Sequence, residues 1–336
     1  MDLSIFVVSY NTRELTRRCL HSILEAGIGV ESEILLVDNA SADGSAEMVE
    51  REFPWVRLLR SDVNLGFAAG NNLARQAARG ERFLLLNPDT RVQRGAIDRL
   101  LEFSIAHPEA GITGGRTLND DGSLDPWSCR GRPTPWSMLC QATGLTTAFR
   151  MHPLFDPSGL GPWQRDSVRE VDVVVGCFLM ITRELWDELG GFDPAFFMYG
   201  EETDLCLRAR ARGFRPMFTP DAAIVHHGAA SEPSEPHKLV RLFEAHVTLF
   251  RKHWSPPTRR FGVLMLKLWA LSRWVGGGVL GLAGHAGAGA RSRVWGEVWR
   301  QRALWQNGGP PAPAYAMRGS DPSTGCREMP VKLTGG

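Results

Sequence analysis

Three carboxylates, Glu201, Glu202 and Asp204, stand directly behind four aromatic residues, Phe192, Phe196, Phe197 and Tyr199, in a turn-rich segment that opens Gly190-Gly191-Phe192-Asp193-Pro194. A carboxylate held beside a cleft at a helix start can take the proton of a substrate hydroxyl. The helix dipole favours acidic residues there on stability grounds alone, which would account for Glu201 as a helix-start charge. Asp204 reads equally well as a salt-bridged helix residue. Three carboxylates after four aromatics nevertheless point to a catalytic base, with Glu202 as the candidate.

A second set of chemically able residues recurs earlier. Ser9-Tyr10-Asn11-Thr12, Asp38-Asn39-Ala40-Ser41, Asn64-Leu65-Gly66-Phe67 and Asn87-Pro88-Asp89 each follow a short apolar run. Those runs, at 3–8, 33–37, 56–59 and 82–86, alternate with helical periodicity such as Leu15, Cys19, Leu20, Ile23 and Leu24, the pattern of βαβ units on a parallel sheet. In open α/β sheets ligands bind beyond the carboxyl ends of the strands, where all four polar clusters would gather. Gly27-Ile28-Gly29 lacks the third glycine of a dinucleotide fingerprint, and no Gly-Lys-Ser/Thr loop occurs, so NAD and ATP are disfavoured. With neither a glycine-rich cradle nor a Lys/Arg cluster in these loops, a bound diphosphate needs a metal ion to offset its charge. Asp89 is placed to hold one, although an aspartate after a proline also caps turns.

The remaining chain supplies the frame. Residues 116–165, rich in Pro, Gly and Trp, read as a long excursion over the sheet of the kind that covers active sites. An apolar run at 171–181 is interrupted at Gly176-Cys177, a short helix follows at 182–189, the carboxylate segment leads into a helix ending near Arg212, and a last strand covers 223–226. Residues 238–254 form an amphipathic helix.

The chain has 336 residues, 43% of them hydrophobic, enough for a sizeable core. Its six cysteines include no Cys-x-x-Cys pair, against both a zinc site and a disulfide framework. The chain enters a strand pattern at once, without a basic leader or cleavage site, which predicts a cytoplasmic protein. The net charge of +1 divides into +10 from residue 251 onward (13 Lys and Arg against 3 Asp and Glu) and −9 before it. Six of the eleven tryptophans fall in that basic part, suggesting an anionic membrane surface as partner. The longest uncharged run there, 274–290, is short of the roughly 20 residues of a membrane span and holds seven glycines, so it is expected to lie on a membrane, not to cross it. From residue 307 onward Pro, Gly, Ser and Thr dominate and disorder is expected. No nucleic-acid partner is expected.

Taken in order, Val7-Val8-Ser9-Tyr10-Asn11, Val37-Asp38-Asn39-Ala40-Ser41, Asn64-Leu65-Gly66-Phe67-Ala68-Ala69-Gly70-Asn71-Asn72, Leu86-Asn87-Pro88-Asp89, Gly190-Gly191-Phe192-Asp193, Glu201-Glu202-Thr203-Asp204-Leu205 and Val225-His226-His227-Gly228 resemble the inverting glycosyltransferases of family 2, in their rhamnosyltransferase-like bacterial branch. The resemblance covers about residues 3–255. It implies a GT-A-type nucleotide-diphospho-sugar transferase fold, a mostly parallel central sheet flanked by helices, with a catalytic domain at 1–255, a helical extension at 256–306 and a tail at 307–336.

The resemblance further implies that Asp38 contacts the nucleobase, that Ser9, Tyr10 and Asn11 line the nucleoside pocket, and that Asn64, Gly66, Asn71 and Asn87 belong to the donor site. Asp89 stands where the family's Asp-x-Asp metal motif ends, with Asn87 in place of its first acid, and His226 matches a histidine that completes the coordination of Mg²⁺ or Mn²⁺. Glu202 takes the position of the family's base, where an Asp is usual, beside Glu201. The implied partners are a dTDP-, UDP- or GDP-sugar donor, L-rhamnose being the sugar the branch suggests, and a cell-envelope glycan or lipid-linked acceptor at the inner face of the membrane. The competing readings are a silent sugar-nucleotide scaffold and, further off, a glycoside hydrolase.

Overall fold

The computed structural model describes residues 1–228 and 234–309. The amino-terminal third follows the expected alternation: β1 (Leu3–Ser9), α1 (Arg13–Ala26), β2 (Ser32–Asn39), α2 (Ser45–Glu52), β3 (Arg57–Ser61), α3 (Gly66–Ala77) and β4 (Arg82–Leu86). β1 is buried along its whole length, as a strand covered on both faces must be. The parallel register sets Ser9 opposite Asp38 and Asn39 opposite Ser61, so the polar clusters leave the sheet at one edge, as the pattern required.

The chain continues through β5 (Thr90–Val92), α4 (Ala96–Ala106), β6 (Ile112–Leu118), β7 (Cys129–Arg130), α5 (Pro135–Thr143), α6 (Leu145–Ala148), β8 (Arg169–Glu170), β9 (Val173–Val174), β10 (Phe178–Thr182), α7 (Arg183–Leu189), α8 (Glu201–Ala211) and β11 (Met217–His226). The central sheet runs β3-β2-β1-β4-β10-β6-β11-β5, with β8 paired to β11. Its first four strands are parallel. The other half is mixed: β10 re-enters between β4 and β6 antiparallel to both, and β11 pairs parallel with β6 but antiparallel with β5. The expectation of a mostly parallel sheet therefore holds for the β3-β2-β1-β4 half and not for the other.

Two strands run beyond their apolar signal. β6 carries Gly114 and Gly115, where a Cβ would collide with Val174 and with the Ala222 carbonyl, so glycine is needed for close approach although it weakens the strand pattern. β11 begins six residues before the expected strand and contains Pro220 at a register shift between Phe218 and Ala223.

The last described elements are α9 (Glu235–His253), α10 (Pro256–Leu282), α11 (Ala288–Arg300) and α12 (Arg302–Trp305). They do not form a loose appendage. Val240, Phe243 and Phe250 of α9, Leu266 and Ala270 of α10, Val298 and Trp305 build one buried cluster with Met138 and Ala142 of α5. The tryptophans read as a membrane signal belong mostly here: Trp305 is fully buried and its indole N–H donates to the Val298 carbonyl, Trp254 stacks on Phe250, and Trp269 packs on Trp295. Residues 307–309 close against α9, where Gly309 N–H donates to the Thr248 hydroxyl and Arg251 donates to the Asn307 carbonyl. The rest of the expected disordered tail lies outside the described residues.

Asp204 fastens α8 to α9. It is fully buried, with Oδ2 accepting from Arg208 at 2.7 Å and Oδ1 facing Lys252 and His253 at 2.8 Å each. Burial alone would raise its pKa, but the His253 hydrogen bond and the charges of Arg208 and Lys252 outweigh it and hold the carboxyl at about 2. Asp204 is thus the salt-bridged helix residue of the two readings above. Because its pKa is depressed on folding, its stabilisation is present above the ordinary carboxylate range and is lost as pH falls toward about 2. Asp204→Asn should cost about 1.5–3 kcal/mol at neutral pH by removing the charge-assisted bonds of three half-buried cations, a loss read from urea unfolding midpoints that shrinks when the measurement is repeated near the folded pKa.

Candidate active site

The first three strand-end clusters are tied to one another by their own polar groups. Asn11, in a left-handed conformation at φ 51°, donates its backbone N–H to Ser41 Oγ at 2.9 Å, and its Oδ1 accepts from Ala42 N–H at 2.8 Å. Asn39 Nδ2 donates to the Gly66 carbonyl and Asn39 Oδ1 accepts from Leu65 N–H, both at 3.0 Å. Asn64 closes its own turn, its Oδ1 accepting from Gly66 N–H at 2.9 Å. Phe67 N–H then donates to the Phe197 carbonyl at 2.8 Å, joining these loops to the aromatic segment.

Asp38 sits in this frame almost fully buried. Its Oδ2 accepts from Ser41 N–H at 3.2 Å, while Oδ1 is buried without a partner among the described residues. An unsatisfied buried acceptor costs about 1–3 kcal/mol unless a ligand supplies a donor, so Asp38 is equipped to receive an N–H group. Tyr10, which follows the Ser9 that pairs with Asp38 across the two strands, is half-buried. Two expected donor residues are committed elsewhere. The Ser9 hydroxyl pairs with Thr12 and Thr16 inside the β1–α1 junction. Asn71 is buried within α3, donating to the Phe67 carbonyl one turn back.

Asp89 and His226 meet as expected. Antiparallel pairing sets His226 opposite Thr90, and His226 Nε2 lies 3.2 Å from Asp89 Oδ1 and 3.4 Å from Asn87 Nδ2. Burial disfavours a charged ring, yet the Asp89 hydrogen bond and charge outweigh it and raise the His226 pKa above the ordinary value. His227 turns the other way, to Asp120, as adjacent strand residues must. Asn87 Oδ1 is buried and lacks a partner among the described residues. A carboxylate, an imidazole and an orphaned amide oxygen suit a divalent ion that takes its other ligands from a diphosphate. Among the described residues no group of three or more His, Cys, Asp and Glu exists that could hold a metal without such help.

The carboxylates lie across a seam formed by Gly176 and Cys177. Asn87 N–H donates to the Cys177 carbonyl at 3.2 Å, and a Cβ at Gly176 would lie 3.8 Å from Glu202 Cβ and 3.2 Å from the Phe67 ring. The interruption in the apolar run at 176–177 is therefore where the metal-type pair and the base segment approach one another. Glu201 and Glu202 are only 4% and 6% exposed. Burial, reinforced by the Glu202 charge, raises the Glu201 pKa well above the ordinary carboxylate range. Glu202 Oε1 instead accepts from Arg130, a residue of β7 that no motif had marked. Its only sequence signal is an arginine inside an otherwise polar, proline-rich excursion. A separate cavity of about 220 Å³ lies between Asn64, Phe197, Tyr199 and the α9 residues Arg241 and Glu244. It is lined by none of Asp38, Asp89 and Glu202.

A parallel βαβ half whose strand ends converge on buried Asp38, followed by a mixed half that brings Asp89, His226 and a carboxylate helix to the same edge, defines a GT-A-type glycosyltransferase that uses a nucleotide sugar. Residues 4–157 match the model of glycosyl transferase family 2. It is 29% identical over 290 residues to the N-acetylglucosaminyl-diphospho-decaprenol L-rhamnosyltransferase of Mycobacterium tuberculosis, covering 76% of this chain and 88% of that protein. It is 27% identical over 219 residues, 62% of each chain, to a low-salt glycan biosynthesis hexosyltransferase of Haloferax volcanii. A mannosyltransferase from Pyrobaculum calidifontis, solved in complex with GDP-Man and Mn²⁺, shares the fold with a TM-score of 0.55 at 17% identity, over 90% of this chain and 87% of that one.

The contact between the third cluster and the aromatic segment leaves no room for a side chain. Gly66 has φ +77°, and a Cβ there would fall onto the Phe197 carbonyl. Gly66→Ala should separate the two loops and destabilise the fold by about 2 kcal/mol or more, strain and clash together, measured as a lower urea midpoint with an unchanged slope.

Proposed function

We propose that the chain transfers a sugar, L-rhamnose by its similarity to the mycobacterial relative, from a nucleoside-diphosphate donor to a hydroxyl of a lipid-linked glycan, with inversion at the anomeric carbon. The observation that carries this reading is the buried Glu201–Glu202 pair set across the Gly176–Cys177 seam from Asp89 and His226. One end of such a cleft serves the acceptor hydroxyl and the other the departing diphosphate. A silent scaffold would have no use for both, and a hydrolase none for a nucleoside pocket.

Asp38 would receive a nucleobase N–H on its free Oδ1, held in place by Ser41. Asn11 would fix the first two loops around the nucleoside. Glu202 would accept the acceptor's hydroxyl proton as that oxygen bonds to the anomeric carbon and the bond to the diphosphate oxygen breaks, a contribution of about 10²–10⁴-fold. Asp89, His226 and Asn87 Oδ1 would hold Mg²⁺ or Mn²⁺ together with the donor phosphates. When bound, that ion offsets the charge gathering on the leaving diphosphate.

Association with the inner face of the membrane is the second part of the proposal. α10 is 27 residues long and, by length and composition, one helix able to cross a membrane. Its packing argues for lying on the surface: Leu266 and Ala270 are buried in the α9–α12 core, and Gly277 and Gly281 allow α11 to approach closely. Leu264 and Leu268 are exposed nearer its start, and Trp274, Val275, Val279, Leu280 and Leu282, the last 93% exposed, gather at the far end of α10. Arg273, Arg291 and Arg293 flank them in sequence and suit anionic headgroups.

Glu202→Gln should abolish transfer while nucleotide binding persists; turnover near wild type would remove Glu202 as base. In thermal shift against UDP, dTDP and GDP, one nucleotide should stabilise the protein in the presence of Mn²⁺, by about 2.7 kcal/mol at 100 times its Kd, and Asp89→Ala should lose the metal-dependent part. A shift equal with and without metal would refute the metal role. Val279→Glu with Leu282→Glu should reduce co-sedimentation with anionic liposomes, and undiminished binding would refute the membrane surface.

A further inference from the structure

Arg130 has no place in the scheme above, yet the fold goes to some length to deliver it. β7, which carries it, is a two-residue strand paired with β9, Arg130 opposite Val173. The loop around it is built on a second arginine. Arg165 is 1% exposed, in a left-handed conformation at φ 54°, and its guanidinium donates to the carbonyls of Trp163, Pro126, Gly159 and Cys129. A buried cation satisfied mainly by backbone carbonyls fixes main chain, and here it fixes the residue just before Arg130. The excursion is a braced wall at this point, and the guanidinium it presents lies on Glu202 Oε1 and, at 2.8 Å, on the Thr203 hydroxyl.

We propose that Arg130 is a positioning residue for the transfer: its guanidinium selects Glu202, not Glu201, as the ionised member of the buried pair and fixes that carboxylate in the cleft. The inference rests on the reading of Glu202 as base. Its physical ground is that two carboxylates on consecutive buried residues cannot both ionise cheaply, so the pair carries one charge and a nearby cation decides where it sits. Arg130 touches Glu202. Glu201 Oε2 has no hydrogen-bond partner among the described residues, the arrangement of the member that keeps the proton. No hydrogen bond among the described residues engages Glu202 Oε2, which is left for an acceptor hydroxyl.

The other groups facing this pair do not compete. Cys206 on α8 is a buried thiol pushed up to about 12 and stays neutral. His246 on α9 faces Arg130, but burial pushes its pKa down to about 4 and its Nδ1–H donates to the Leu242 carbonyl, so it brings no second positive charge. Arg210, on the last turn of α8, is engaged by Glu170 and Asp172.

Infrared spectroscopy of the full chain tests the charge assignment without any substrate. Near neutral pH, Glu201→Gln should remove a buried protonated-carboxyl stretch. Combining Arg130→Ala with Glu201→Gln should bring the band back, because Glu202 then lacks its cation, whereas Arg130→Lys with Glu201→Gln should leave it absent. A band that survives Glu201→Gln alone, or that stays absent in the Arg130→Ala combination, overturns the proposal.

Kinetics with dTDP-L-rhamnose and an N-acetylglucosaminyl-diphospho-prenol acceptor then separate the two readings. Arg130→Ala should lower kcat by about 10²-fold near neutral pH, with the donor KM little changed and the loss narrowing as pH rises; Arg130→Lys should recover much of it. A uniform loss at every pH, with lowered thermal stability, would make Arg130 merely structural. Retained turnover in Glu202→Gln would instead sink the base assignment, leaving the infrared result to stand by itself.

Discussion

Three buried acids within four residues at the head of α8 are the constraint around which the rest of this molecule is arranged. Each needs a different form of compensation, because an unpaired buried charge is too costly to keep. Asp204 is satisfied by Arg208 from its own helix and by Lys252 and His253 from α9. Glu202 is satisfied from the excursion by Arg130. Glu201 takes the remaining route, its pKa raised well above the ordinary carboxylate range by burial and by its neighbour. α8 is thereby bound to the two parts of the chain, the excursion and α9, that lie outside the parallel half.

The donor side is organised on another principle. Its side-chain amides bond backbone of the adjoining loop: Asn11 to residue 42, Asn39 to residues 65 and 66, and Asn72 to both polar groups of Phe192. Side-chain amides used in this way hold loops at fixed separations without placing charge in the cleft. That suits a site whose ligand brings its own charge.

Much of this was legible in the residues. The parallel half announced itself because strands buried on both faces must be apolar throughout, and the clusters at their ends could only converge. Asp89, His226 and the glutamates followed from their places in that order. What stayed hidden has physical reasons. β6 is disguised by Gly114 and Gly115, which tertiary crowding demands and strand propensity disfavours. α10 runs unbroken through glycines that would ordinarily end a helix, since Gly277 and Gly281 are where α11 packs. Composition identified the tryptophans as unusual but not which way they face, and Trp254, Trp269, Trp295 and Trp305 face inward. Arg130 left no pattern because its partner is 72 residues away.

The shared core of α5 and the carboxy-terminal helices has a bearing on biosynthesis. By residue 226 the ribosome has delivered every described strand of the central sheet, so the parallel half has all its pairing partners before α9 to α12 are made. Met138 and Ala142, by contrast, wait for Phe243, Leu266, Val298 and Trp305 before they can be covered. A nascent chain can therefore pair its central sheet early, but the wall that bears Arg130 gains its full support only when α9 to α12 emerge, so the sheet and that wall are completed at different stages of synthesis.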